Sequence, residues 1–445
     1  MTRLFGTDGI RGVTGTELTP ELAFTVGKAA GQVLAPEEKG FVLVGKDTRL
    51  SGDMLESSLC SGLMAMGLDV VLLGIIPTPA VAYLTKKYGA SAGVVISASH
   101  NPYEYNGIKF FSSTGYKLPD PVEEEMEKYI FGEKEFRKNG GHYGRYLTGY
   151  DGLKDYEEYL ISLCPFSLRD KTIALDCGNG ALSKLAPLVF TKLGANVVAL
   201  NTDYNGTNIN DNCGSTNPKV IQDLVLSRKA DIGLSFDGDA DRVIAVDEKG
   251  RIVDGDHILA ICATYLKERG KLHGNTVVGT VMTNIGLDKY LESQGINIIK
   301  SAVGDRYVLE EMKKGKFVLG GEQSGHIIFT DFNTTGDGIA TGLHLLEVMT
   351  AMKKPLSLLN DLMISYPQVL VNAKINSKWK QRYMEHLEIK EAIDLLNDTF
   401  HGEGRIVIRP SGTEPLVRVM IEGNDEEFLL QEATKLAQLM EEKLQ

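Results

Sequence analysis

The chain has 445 residues, enough for roughly three domains of ~150 residues each, and a single small fold is excluded. Its 47 Lys+Arg against 59 Asp+Glu give a net charge of −12, which argues against a general grip on nucleic acid or anionic lipid but not against one small anion. With 43% hydrophobic and 24% charged residues the composition is that of a soluble globular protein, not of a disordered chain or a coiled coil.

Taken in chain order, the predicted elements repeat one pattern three times: apolar run, polar turn, helix-like stretch, then a second run introduced by glycine. In the first copy Phe41–Val44 leads into Gly45-Lys46-Asp47, and Gly67–Leu72 resumes as strand. In the second, Thr172–Leu175 leads into Asp176-Cys177-Gly178, and Gly194–Val198 answers. In the third, Thr276–Val278 leads to a turn before Asn284, and Gly295–Ile299 closes the unit. Each copy then adds a further short strand, Gly93–Ile96, Ile232–Phe236 or Phe317–Leu319, and chemically unusual residues follow it each time. In open α/β sheets ligands sit beyond the carboxyl ends of the strands, so three such loops can converge on one cleft.

After Leu362 the pattern changes to strand-like Val369–Val371, helix-like Lys390–Phe400, strand-like Arg405–Arg409 and a closing helix Glu426–Leu444. The expected architecture is α/β: three similar modules with mixed sheets, then a smaller α+β domain, around a central cleft. The boundaries are placed at 1–150, 151–252, 253–365 and 366–445. Glycine is over-represented, 48 residues against the ~31 expected at average usage, as special turns would require.

The five cysteines, Cys60, Cys164, Cys177, Cys213 and Cys262, are odd in number and contain no Cys-x-x-Cys pair. Neither a disulfide framework nor a zinc site is expected, and a reducing compartment fits. Met1–Gly12 lacks the apolar stretch of a signal peptide, and no run approaches ~18 apolar residues. The expectation is a cytoplasmic protein without membrane or nucleic-acid partners.

Four segments carry chemistry. Asp237, Asp239 and Asp241 alternate with small Gly238 and Ala240 directly after a strand; three carboxylates together repel unless a hard cation such as Mg²⁺ or Mn²⁺ joins them. An EF-hand is excluded, because its sixth position needs glycine and holds Arg242, and no helix precedes it. Ser99 lies in Ser97-Ala98-Ser99-His100-Asn101-Pro102, with Lys109 ten residues on; a hydroxyl activated by a metal or base can carry a covalent group. Arg409-Pro410-Ser411-Gly412-Thr413-Glu414-Pro415 with Arg418 combines guanidinium forks, hydroxyls and free backbone N–H groups, a phosphate cradle. Gly320–His326 can bring Glu322 and Ser324 to sugar hydroxyls, with His326 able to pass a proton near neutral pH. Phe5-Gly6-Thr7-Asp8-Gly9-Ile10-Arg11-Gly12 adds another glycine-framed arginine turn.

Two nucleotide motifs fail. Gly40-x-x-x-x-Gly45-Lys46 has four strand residues inside and Asp47 where Ser/Thr is required. Gly178-x-Gly180 meets Ser183 where a dinucleotide fingerprint wants glycine.

In this order the segments resemble the α-D-phosphohexomutase superfamily over essentially the whole chain, and the opening turn and the Gly-Glu-Gln-Ser-Gly-His loop are most similar to its bacterial members that act on glucosamine phosphate. The resemblance implies an isomerase interconverting glucosamine 6-phosphate and glucosamine 1-phosphate, a step towards UDP-N-acetylglucosamine and the cell wall. Ser99 would be the phosphoserine and, with Asp237, Asp239 and Asp241, would hold one Mg²⁺. A sugar 1,6-bisphosphate would be intermediate and activator. Arg409, Ser411, Gly412, Thr413 and Arg418 would hold the nonreacting phosphate, and Glu322 and Ser324 the sugar. Lys109, His100 or His326 would transfer protons, and Arg11 and Arg242 would offset developing charge. The resemblance also suggests a homodimer, and the fourth domain is expected to close as a lid. Alternatives are phosphomannomutase or phosphoglucomutase activity, a metal-dependent phosphatase, and a non-enzymatic sugar-phosphate binder.

Overall fold

The computed structural model describes residues 3–6, 8–35, 40–138, 140–400, 402–410 and 416–445. Three sheets repeat one construction, as the apolar runs predict. In the first, Phe41–Lys46 is flanked by parallel strands Asp69–Ile75 and Ala92–Ile96, and Tyr105–Ser112 returns antiparallel beside the latter. In the second, Thr172–Asp176 lies between parallel Asn196–Leu200 and Ile232–Phe236, with Val243–Asp247 returning. In the third, Thr276–Thr280 lies between parallel Asn297–Ser301 and Leu319–Gly321, with Ile327–Phe329 returning. The chemically unusual residues occupy the reversal between the last parallel strand and its antiparallel neighbour in all three, and this topology places the site.

The first sheet gains an edge strand that periodicity misses. Ile10–Val13 pairs antiparallel with Tyr105–Ser112, setting Arg11 opposite Gly107, two residues from Lys109. The third sheet corrects the sequence reading. Phe317–Val318 precede the strand, which runs Leu319–Gly321, so Gly320 and Gly321 belong to the sheet and not to the loop. Packing is the reason: a Cβ on Gly320 would stand 2.6 Å from Met312 Sδ, and one on Gly321 2.6 Å from the His326 carbonyl oxygen.

Helices start where the sequence supplies caps. Thr19, followed by Pro20, accepts from the Leu22 N–H, and Asp254 and Asp337 do the same for helices Gly255–Glu268 and Gly338–Met352. Helix Gly338–Met352 buries residues around nearly its whole circumference, and one apolar core extends from Leu43 through Phe236 to Met363. The three sheets are therefore welded through shared hydrophobic burial.

The last part of the chain is built differently. Gln368–Lys374, Leu416–Glu422 and Arg405–Pro410 form a three-stranded antiparallel sheet, packed by helices Leu387–Thr399 and Glu426–Lys443 around a core of its own. Among the described residues no helix is long and apolar enough to cross a membrane.

Candidate active site

Ser99 occupies the first reversal at φ 52°, a left-handed backbone that non-glycine residues seldom adopt. The surroundings hold it there. Its N–H donates to Ser97 Oγ at 2.9 Å, and Ser97 in turn donates to Asp47. Its carbonyl accepts from Arg49 Nη2 at 2.9 Å and from Asn210 Nδ2 at 2.8 Å. Arg49 is completely buried, paired with Asp47, and also donates to the carbonyls of Asn101, Pro102 and Tyr105. One guanidinium thus fixes the whole Ser99–Tyr105 turn.

The second reversal meets the first directly. Ser99 Oγ donates to Asp237 Oδ2 at 2.5 Å. A Cβ on Gly238 would stand 2.7 Å from the Ser99 carbonyl oxygen, so only glycine permits this approach. Asp237, Asp239 and Asp241 are all buried, each offering an oxygen within 4.8 Å of the others. Burial and the neighbouring charges of Asp241 and Asp239 push the Asp237 carboxyl well above the usual range. Asp239 Oδ1 and Asp241 Oδ1 are buried without a hydrogen-bond partner. Mutual repulsion, orphaned oxygens and an all-carboxylate donor set fit a hard divalent cation, with Ser99 Oγ alongside.

Lys109, 1% exposed, reaches this triad from the antiparallel strand of the first sheet. Its Nζ lies 2.8 Å from Asp239, 2.9 Å from Asp8 and 3.8 Å from Asp241. Burial opposes its charge, but these carboxylates win and raise its pKa above the ordinary lysine value. His100 Nδ1 is 3.4 Å from Ser99 Oγ, and burial, helped by Arg242 and Arg11, brings its pKa down to about 4. His326 Nδ1 lies 3.6 Å from Asp241, while its Nε2 accepts the Gly336 N–H at 3.0 Å.

Beyond these groups opens a cleft of about 820 Å³ lined by Arg11, Asp241, Arg242, Glu322, His326, Arg409 and Arg418, together with Asp8 and Asp305. Arg11 Nε and Arg242 Nε are buried without hydrogen-bond partners. Arg409 and Arg418 are opposite one another on adjacent strands, and burial and the charge of Arg418 together lower the Arg409 pKa. Paired guanidinia with unspent donors suit a phosphate. Ser324 is exposed and does not line the cleft. Ser411, Gly412 and Thr413 lie outside the described residues.

Sequence models of four family domains match consecutive stretches of the chain: phosphoglucomutase/phosphomannomutase alpha/beta/alpha domain I at residues 2–137, domain II at 154–250, domain III at 254–366 and the C-terminal domain at 370–439. The chain belongs to the phosphoglucomutase/phosphomannomutase family. Among similar family members, the phosphoglucosamine mutases of Clostridioides difficile (strain 630) and Thermoanaerobacter pseudethanolicus are 54% and 55% identical, with all of this chain and all of each relative covered. A solved phosphoglucomutase/phosphomannomutase family protein from Burkholderia thailandensis superposes with a TM-score of 0.83 at 26% identity, covering 100% of this chain and 98% of that one. The N-acetylphosphoglucosamine mutase of Aspergillus fumigatus, solved with GlcNAc-6P and magnesium, shares the fold at 17% identity with a TM-score of 0.68, over 99% and 96% of the two chains.

Sequence reasoning missed the supporting residues of this family site. Asp47 and Arg49 directly follow the first strand, and Asp8 sits in the glycine-framed turn from which only Arg11 was singled out. Thr78, whose hydroxyl donates to Asp239 Oδ2 at 2.7 Å, heads a helix with nothing local to mark it. Lys117 and Asp305, joined at 2.5 Å, also had no local signal.

Proposed function

We propose that the protein is a phosphoglucosamine mutase, an isomerase that interconverts glucosamine 6-phosphate and glucosamine 1-phosphate through a phosphorylated Ser99. One observation carries the reading: a serine hydroxyl, strained into the left-handed region, bonded to one member of a buried three-carboxylate cluster. The names of the full-length relatives support the choice of sugar.

Starting from phosphorylated Ser99, the C1 hydroxyl oxygen of glucosamine 6-phosphate attacks phosphorus. A new P–O bond forms, the bond to Ser99 Oγ breaks, and the hydroxyl proton leaves to a base. The 1,6-bisphosphate then turns around and returns its 6-phosphoryl group: a bond from phosphorus to Ser99 Oγ forms, the bond to O6 breaks, the base gives its proton to O6, and the 1-phosphate is released. Phosphoryl transfer asks a protein mainly for positioning and charge stabilisation. Arg11 and Arg242 supply free donors for the transferring group, while Arg409 and Arg418, with Ser411, Gly412 and Thr413, grip the phosphate that does not react. Glu322 holds the sugar. Lys109, His100 or His326 takes and returns the proton: His100 Nδ1 stands 3.4 Å from Ser99 Oγ, Lys109 Nζ 2.8 Å from Asp239, and His326 Nδ1 3.6 Å from Asp241. Asp237, Asp239 and Asp241, with Ser99, would hold one Mg²⁺, which when bound supplies positive charge next to the phosphoryl group.

The working units are 1–150, 151–252, 253–365 and 366–445, each giving one wall of the cleft, and the last closes as a lid. The setting is cytoplasmic, where the amino-sugar product feeds UDP-N-acetylglucosamine synthesis, and the active form is a homodimer. Parallel assays of the 6-phosphates of glucosamine, glucose and mannose, with Mg²⁺ and catalytic sugar bisphosphate, test the reading. Preference for glucosamine is expected, and its absence would move the assignment to a general hexose mutase. Ser99→Ala is expected to lose at least ~10³-fold in turnover, the scale of removing a covalent nucleophile, and its mass spectrum to lose the phosphoryl adduct. Full turnover in that variant would sink the mechanism.

A further inference from the structure

One wall of the cleft is the turn Ala302–Asp305. Gly304 stands at φ 128°, a conformation open to glycine, and its N–H donates to Glu322 Oε1 at 3.1 Å. Asp305 begins the next helix, and its Oδ2 pairs with Lys117 at 2.5 Å. Arg306 is buried against the Leu118 carbonyl, Asp120 and Glu123, pinning the turn to the first unit of the chain. Two carboxylates, Glu322 and Asp305, are thereby joined through one glycine and face the same cleft.

The four cleft carboxylates are not neutralised alike. Asp8 is ringed by Arg11, Lys109 and Lys117. Asp241 lies 3.8 Å from both Lys109 and Arg242. Glu322 faces Arg242 and takes the Gly304 N–H. Among the described residues Asp305 has a single ammonium, Lys117, which Asp8 shares. Its other neighbour, His326 Nε2 at 3.6 Å, already accepts the Gly336 N–H and so offers it no proton. A carboxylate so placed repels phosphate. It suits a cation, and the amine of an amino sugar is largely protonated near neutral pH.

We propose that Asp305, with Glu322 beside it, is the specificity-determining residue that takes the ammonium group of a hexosamine phosphate. The inference rests on the mutase reading above and adds the group that separates an amino sugar from a neutral hexose. Glucose 6-phosphate puts a hydroxyl there, which can donate to the carboxylate but brings no opposite charge to pair with it.

The test compares kcat/KM for glucosamine 6-phosphate and glucose 6-phosphate, using the full-length phosphorylated enzyme with Mg²⁺ and catalytic sugar bisphosphate. In Asp305→Asn the ratio of the two is expected to fall about tenfold or more, as loss of a charged hydrogen bond predicts, chiefly through a higher KM for the amino sugar. Asp305→Ser carries the same expectation, so if one variant does not fold the other decides. A ratio unchanged, or two activities falling in proportion, would overturn the assignment while leaving the mutase reading standing. A wild-type enzyme that shows no preference for glucosamine 6-phosphate would overturn both.

Discussion

Arg49 Nη2 donates to the Ser99 carbonyl at 2.9 Å, from a side chain with no solvent exposure whose Nε is paired to Asp47 at 2.9 Å. The Ser99 turn is held by a buried ion pair from the neighbouring strand end as well as by its own Ser97. Removing one partner of such a pair leaves an uncompensated charge in the interior. Arg49→Met is therefore expected to lower unfolding stability by about 3–5 kcal/mol, read from chemical denaturation, and to lower kcat even at temperatures where the protein stays folded. A wild-type kcat in the folded variant would remove Arg49 from the positioning of Ser99.

The triad gives a second expectation. Asp239 Oδ1 and Asp241 Oδ1 are buried and unpartnered, so a divalent cation should stabilise the fold by binding it. Chelator is expected to abolish turnover and lower the melting temperature, and Mg²⁺ to restore both. In Asp239→Asn the Mg²⁺-dependent rise in melting temperature should largely disappear. An unchanged rise in that variant would place the cation elsewhere.

Arg409 and Arg418 stand opposite one another on adjacent strands and face the cleft. Each charge-assisted bond to phosphate is expected to contribute about 1.5–3 kcal/mol. Single substitution to alanine should raise KM for glucosamine 6-phosphate by roughly 10- to 100-fold, with little change in melting temperature because among the described residues neither group has an ion-pair partner. A KM within twofold of wild type would exclude the pair from phosphate binding.

All five cysteines are buried. Burial pushes the thiols of Cys60 and Cys213 up to about 12 and that of Cys164 to about 11. Their folded-state pKa exceeds the unfolded one, near ~8.5. The stability they contribute is complete below that value and is lost as pH rises towards 11 and 12. Iodoacetamide should label the native protein slowly at mildly alkaline pH and the denatured protein fast, and the melting temperature should fall on the alkaline side. Rapid labelling of the native protein would contradict the burial.

Several residues that the fold brings together could be read from the sequence because short loops carry them as contiguous sets: Ser99 with His100, the alternating aspartates, and Glu322 with His326, whereas Ser324 of the same loop lies outside the cleft. The three-fold repeat of strand, helix and strand was legible as well, since apolar runs and glycine-led turns are local signals. Their order along the chain also determined the family.

What holds and tunes those residues was decided by the tertiary structure. Arg49 acts on Ser99 across 50 positions, Lys109 on Asp239 across 130, and Lys117 on Asp305 across 188. Gly320 and Gly321 read as loop openers and are packed inside a sheet, because the Met312 sulfur that excludes a Cβ at Gly320 comes from a helix and the His326 carbonyl that excludes one at Gly321 comes from the far side of the reversal, contacts that no local pattern reveals. A pattern of residues states which groups the chain owns. Which carboxylate is neutralised, which is left short of a cation and which serine is strained depend on distances between segments, and those distances are set by packing of the shared core.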